Sequence, residues 1–95
     1  AWYLELSSKI VEAAEQSGLE KSEANKIIRE LVRSLPSFLS DDEFSSTVDK
    51  IKSPNGTTEA GLNSLVNDSF DKIIYNAINS ATNKSYEISQ EINND

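Results

Sequence analysis

The stretch Ser53-Pro54-Asn55-Gly56-Thr57-Thr58 places hydroxyls and backbone N–H groups at a turn that leads into a helix, and such an arrangement can hold an anion. Proline presets the backbone for the second position of a turn, and asparagine and glycine accept the angles that follow. The threonines and Glu59 then open a helix, where free N–H groups and the positive end of the helix dipole point outward. A plainer reading stands beside this one. Thr57 or Thr58 can serve simply as a helix cap, contributing about 1 kcal/mol, with Glu59 already occupying the positive helix end that an anion would take. On composition and spacing alone the plainer reading is ahead.

Other candidates for chemistry are weaker. Asp41 and Asp42 form a carboxylate pair suited to acid–base work or cation binding, but the spacing puts both in the first turn of a helix, where negative side chains favour the positive end. Histidine and cysteine are absent. That removes the usual general base, the usual transition-metal ligand and the thiolate nucleophile, and it leaves no metal site and no catalytic residue to name. No lysine lies in sequence apolar enough to suggest a depressed pKa. Trp2 and Tyr3 could stack on a ligand ring, but in so small a chain aromatic area is better used in packing.

The totals narrow the function classes. With 95 residues the chain forms one small domain, of a size that buries a limited fraction of its surface alone and so invites a partner. The net charge of −7, and nine lysines and arginines that form no run, argue against nucleic acid and against anionic membranes. No apolar run is long enough to span a bilayer and no export leader is evident, so a cytoplasmic setting is expected. In that setting the Asn-x-Ser/Thr triplets at Asn55, Asn67 and Asn83 read as chance rather than as glycosylation sites. The sequence opens on Ala1 without an initiator methionine, which fits a piece of a longer polypeptide.

The elements that must position these residues are all helical. Tyr3, Leu6, Ile10 and Ala13 recur at helical spacing from Trp2 to Gln16, Gly18 stops that helix, and Leu19 is the apolar residue expected after a glycine cap. A second helix begins near Ser22, with Ala24, Ile27, Ile28, Leu31, Val32, Leu35, Phe38 and Leu39 making a stripe wide enough to be buried. Pro36 predicts a kink or break, since proline lacks the donor and presses on the carbonyl of Val32. Ser40 and Glu43 read as a capping box ahead of Phe44, Val48 and Ile51. A short helix follows the turn, carrying Ala60, Leu62, Leu65 and Val66 and ending near Asn67 and Asp68. A long last helix presents Phe70, Ile73, Ile74, Ala77, Ile78, Ala81, Ser85, Ile88 and Ile92 on one face. Its polar tail, Glu91 to Asp95, is expected to fray.

Three segments carry a family resemblance. "SPNGTTEAGLNSL" resembles the signature near the end of pyrroline-5-carboxylate reductases, where Ser-Pro-Gly-Gly-x-Thr precedes a small residue and a leucine in matching register. "AWYLELSSKIVEAAEQSGL" is similar to the family's first C-terminal-domain helix, and "FDKIIYNAINSATNKSYEIS" to its closing helix, so the likeness covers nearly the whole chain. It implies an all-α dimerisation domain over residues 1–95, forming an intertwined homodimer and detached from the nucleotide-binding domain that should precede it. The parent enzymes reduce the ring C=N bond of 1-pyrroline-5-carboxylate with NADPH or NADH, giving proline.

By this resemblance Ser53, Asn55, Gly56, Thr57 and Thr58 hold the carboxylate of a small anionic imine, and Leu31, Leu35, Phe70, Ile73, Ile74, Ala77, Ile78 and Ala81 line the interface between protomers. The chain alone would bind no cofactor and be inactive, having no Gly-x-Gly-x-x-Gly fingerprint. Asn55 stands where the family usually has glycine, a substitution the turn accepts because asparagine also adopts left-handed angles. Lys52, Val66 and Pro36 depart from the pattern as well. Two rival readings fit the same sequence: a free-standing helical interaction module, and a reductase-like paralogue with another imine substrate or no activity.

Overall fold

The computed structural model describes residues 1–93. Five α-helices succeed one another, α1 (Trp2–Gln16), α2 (Lys21–Ser34), α3 (Phe44–Ile51), α4 (Thr57–Asn67) and α5 (Phe70–Asn93), with a 3-10 turn over Leu35–Phe38. No strand occurs among the described residues, and none of their helices is long and apolar enough to cross a membrane. The chain divides into two units with the boundary inside α3, between Thr47 and Val48.

In the first unit α1 packs on α2. The hairpin between them is closed by Gly18 at φ +111, whose N–H bonds the Glu15 carbonyl at 3.0 Å while the Leu19 N–H reaches back to Ala14 O at 3.1 Å. These two bonds are the Schellman pattern, which satisfies carbonyls that the end of a helix would leave open. α2 buries Ala24 and Ile28. The rest of its expected stripe is not covered within the chain: Ile27, Leu31, Val32, Leu35, Phe38 and Leu39 are all exposed.

Pro36 has the expected effect, by a route that keeps the Val32 carbonyl bonded. α2 stops at Ser34, and the Leu35 N–H closes a tighter bond to the carbonyl of Val32, the group that a residue with an N–H at position 36 would have bonded. The Leu39 N–H then bonds Pro36 O at 3.2 Å and the chain turns extended.

The capping box expected at Ser40 and Glu43 does not form. The Ser40 hydroxyl accepts from the N–H of Asp42 at 3.2 Å, a local turn, and the helix begins only at Phe44, with the Glu43 carbonyl accepting the first N–H groups. Asp41 and Asp42 therefore precede the helix rather than occupying its first turn. The short side chain of Ser40 had a nearer backbone donor two residues on, and that local bond won.

In the second unit α4 packs on α5. Between them Ser69 takes φ +61, and its carbonyl accepts from the N–H groups of Lys72 and Ile73, so one residue both ends α4 and starts α5. α5 is 24 residues long and buries none of them. It stays helical through Asn93 rather than fraying from Glu91, and the last residues of the expected tail lie outside the described ones.

The surface total fits this pattern. A monomeric protein of this mass exposes about 5,400 Å², whereas this chain exposes 8305 Å².

Candidate functional site

The loop from Ser53 to Thr58 is a tight turn followed directly by a helix. The Gly56 N–H donates to the Ser53 carbonyl at 3.1 Å, with Pro54 and Asn55 as the two central residues and Asn55 at φ +59. A positive φ at the third position only is the type II signature. Gly56 sits where a side chain has little room: a Cβ there would lie 3.2 Å from the Ser53 carbonyl oxygen and 3.4 Å from its Cβ.

Gly56 is also the N-cap of α4, so no side chain caps the helix. Thr57 and Thr58 occupy its first two positions, which removes the reading of either as the cap. The first intrahelical bond runs from the Ala60 N–H to Gly56 O at 3.1 Å. The N–H groups of Thr57, Thr58 and Glu59 thus precede the helical ladder and form the donor end of α4. The residues proposed as ligands are brought together here: Ser53, Asn55, Thr57 and Thr58 are exposed and Gly56 is half-buried.

Glu59 behaves differently from the sequence reading. Instead of lying over the helix end, its Oε2 accepts the backbone N–H of Asn55 at 2.6 Å. A glutamate three residues past an N-cap commonly reaches back to the cap's N–H; in this turn that N–H is committed to Ser53, so the carboxylate takes the donor one residue earlier. The bond removes Asn55 from the available amides and leaves the donors of Thr57 and Thr58 at the front of the loop. A Gly-x-x-Glu spacing was the available signal. Nearby, the Lys52 ammonium pairs with Asp49 at 3.2 Å, which holds a cation at the entry to the turn.

The expected interface residues are uncovered. Leu31, Leu35, Ile73, Ile74, Ala77, Ile78 and Ala81 are exposed. Phe70 is half-buried beside Leu62, Leu65 and Val66, where α4 meets α5. The residues present do not make a dinucleotide cradle: Gly18, Gly56 and Gly61 are separate, and no strand leads into a glycine turn among the described residues.

Comparison with known proteins bears on the uncovered apolar helices. Residues 1–88 match the family described as pyrroline-5-carboxylate reductase dimerisation. The chain belongs to that family. Among curated relatives it is 27% identical over 94 residues to the pyrroline-5-carboxylate reductase of Pseudomonas aeruginosa, covering 97% of this chain and 34% of the relative. It is 29% identical over 96 residues to the enzyme of the same name from Staphylococcus haemolyticus, covering 99% and 35%. The chain spans about a third of the length of these relatives. No solved structure matches it significantly.

Proposed function

We propose that this chain is the dimerisation and substrate-loop part of an NAD(P)H-dependent pyrroline-5-carboxylate reductase that makes proline in the cytoplasm, with a nucleotide-binding domain ahead of it in the parent protein. The observation that carries the proposal is the family match over residues 1–88, a span that includes the loop.

In this reading the substrate carboxylate sits at the front of α4. The N–H groups of Thr57 and Thr58 and the Thr58 hydroxyl donate to it, and the positive end of the helix favours its charge. The cofactor, bound outside these residues, supplies the hydride. What the chain contributes is placement: fixed donors hold a small anionic ring so that its C=N carbon meets the hydride in one orientation. Glu59 keeps the loop closed through Asn55, and the turn bond from Gly56 to Ser53 fixes the angle at which the donors face outward.

Self-association follows the same reading. The exposed faces of α2 and α5 carry Leu31, Leu35, Ile73, Ile74 and Ile78, and packing between two copies takes that apolar area out of water. At about 1.5–3 kcal/mol for each fully buried large apolar side chain, a handful of such residues outweighs the cost of association.

Assaying the full-length parent with 1-pyrroline-5-carboxylate and either NADPH or NADH tests the proposal. Consumption of the nicotinamide with formation of proline is expected. A purified, folded parent that reduces neither this imine nor another anionic cyclic imine would refute it.

A further inference from the structure

Asn55 is the one asparagine in the chain followed by glycine, and among the described residues it is the one asparagine outside a helix. That pairing carries chemistry of its own. When the Gly56 amide nitrogen loses its proton it can attack the Asn55 side-chain carbonyl carbon, closing a five-membered succinimide and expelling the side-chain nitrogen as ammonia. Water then opens the ring at either carbonyl and gives aspartate or isoaspartate. One water is consumed and one ammonia leaves, and no oxidant or cofactor takes part. Glycine hinders the attack least because its nitrogen adjoins a carbon with no side chain.

Two hydrogen bonds hold the turn against this reaction: Gly56 N–H to Ser53 O at 3.1 Å, and Asn55 N–H to Glu59 Oε2 at 2.6 Å. Both lie in a surface loop where Asn55 and Ser53 are exposed, so local opening frees the Gly56 nitrogen without unfolding the domain. Elsewhere the protection is stronger. Asn25, Asn63, Asn76, Asn79 and Asn83 each lie inside a helix, where the following N–H is committed to the ladder.

We propose that Asn55 is a spontaneous deamidation site whose rate is set by the Glu59 clamp, and that its conversion turns the loop against anionic ligands. The second half rests on the carboxylate-holding reading of residues 53–58. Conversion to aspartate puts a new negative charge beside the donor end of α4. Conversion to isoaspartate also inserts a backbone carbon ahead of Gly56, moving its N–H off the Ser53 carbonyl.

The test ages the full-length protein at mildly alkaline pH and 37 °C (about physiological temperature) and maps the tryptic peptide Ser53–Lys72 by fragmentation mass spectrometry. Exchange of an amide NH2 for OH should accumulate at Asn55 and be absent at Asn63 and Asn67 of the same peptide. Asn55→Gly, which keeps the left-handed turn, should abolish it. Glu59→Ala should speed it by about three- to tenfold, the factor a single exposed charge-assisted bond contributes to closing a turn. No conversion at Asn55 in the folded protein, while the denatured protein converts there, overturns the site; an unchanged rate in Glu59→Ala overturns the clamp. Aged protein and Asn55→Asp should both show a raised KM for the anionic imine. Conversion with unchanged KM would leave the modification standing and count against the loop as the carboxylate site.

Discussion

The carboxylate of Glu59 and the backbone N–H of Asn55 meet at 2.6 Å across the start of α4, and this contact, with the Gly56–Ser53 turn bond, fixes the loop. A hydrogen bond to a charged acceptor contributes about 1.5–3 kcal/mol, and exposure at the surface reduces that to about 1 kcal/mol. Glu59→Ala should therefore lower the melting temperature by about 4–8 °C for a domain of this size. Glu59→Gln keeps an oxygen acceptor and should lose less than half as much. Differential scanning calorimetry on both variants checks this, and equal losses would mean that the charge rather than the bond carries the effect.

Gly18 offers a backbone test. At φ +111 it occupies a conformation that residues with a Cβ rarely adopt, although the space around it is open. Gly18→Ala should cost about 1–2 kcal/mol through strain alone. Gly18→Asn should cost less. A denaturant midpoint unchanged in Gly18→Ala would show that the α1–α2 hairpin closes in another way.

At Gly56 the limit is space. Its φ of −90 suits any residue, yet an added Cβ meets the Ser53 carbonyl that its own N–H bonds. Gly56→Ala in the parent should shift the turn by a few tenths of an ångström and raise the KM for the imine several-fold, at roughly 1 kcal/mol for one disturbed hydrogen bond. Steady-state kinetics at saturating cofactor measures it.

The exposed apolar faces predict a tight homodimer. Ile74→Asp or Ile78→Asp would place an unpaired charge on the face proposed to pack against a second copy, at about 3–5 kcal/mol. Sedimentation equilibrium should show dimer for the unaltered chain at micromolar concentration and monomer or unfolded chain for either variant. A folded monomer of the unaltered chain would remove this part of the account.

Much of the fold was legible because its signals are local. Gly18 followed by Leu19 states a helix end in two residues, and Pro36 states a break through its missing donor; both appear where expected, and the apolar spacing located every helix. Signals that depend on competition between neighbours were misread. Ser40 satisfied the Asp42 N–H instead of capping α3, and Glu59 bonded Asn55 because Gly56 had already given its N–H to Ser53. The width of the α2 stripe indicated burial but could not say by what, since Ile27 and Leu31 remain uncovered in a single copy. For the loop, spacing alone favoured a threonine cap. Family resemblance pointed to the carboxylate site, and the geometry then removed the cap by giving that position to Gly56.

The central claim, that the loop holds the substrate carboxylate, is tested most directly by Thr58→Val in the full-length parent. Valine keeps the shape and deletes one hydroxyl donor. Since Thr58 makes no capping bond in α4, the melting temperature should stay within a degree or so of the unaltered protein. Losing a hydrogen bond to a charged group, about 1.5–3 kcal/mol, should lower kcat/KM for 1-pyrroline-5-carboxylate roughly ten- to a hundredfold while the KM of the nicotinamide cofactor stays nearly constant. An equally stable Thr58→Val enzyme with unchanged imine kinetics would contradict the account and leave residues 53–58 as a turn that starts a helix.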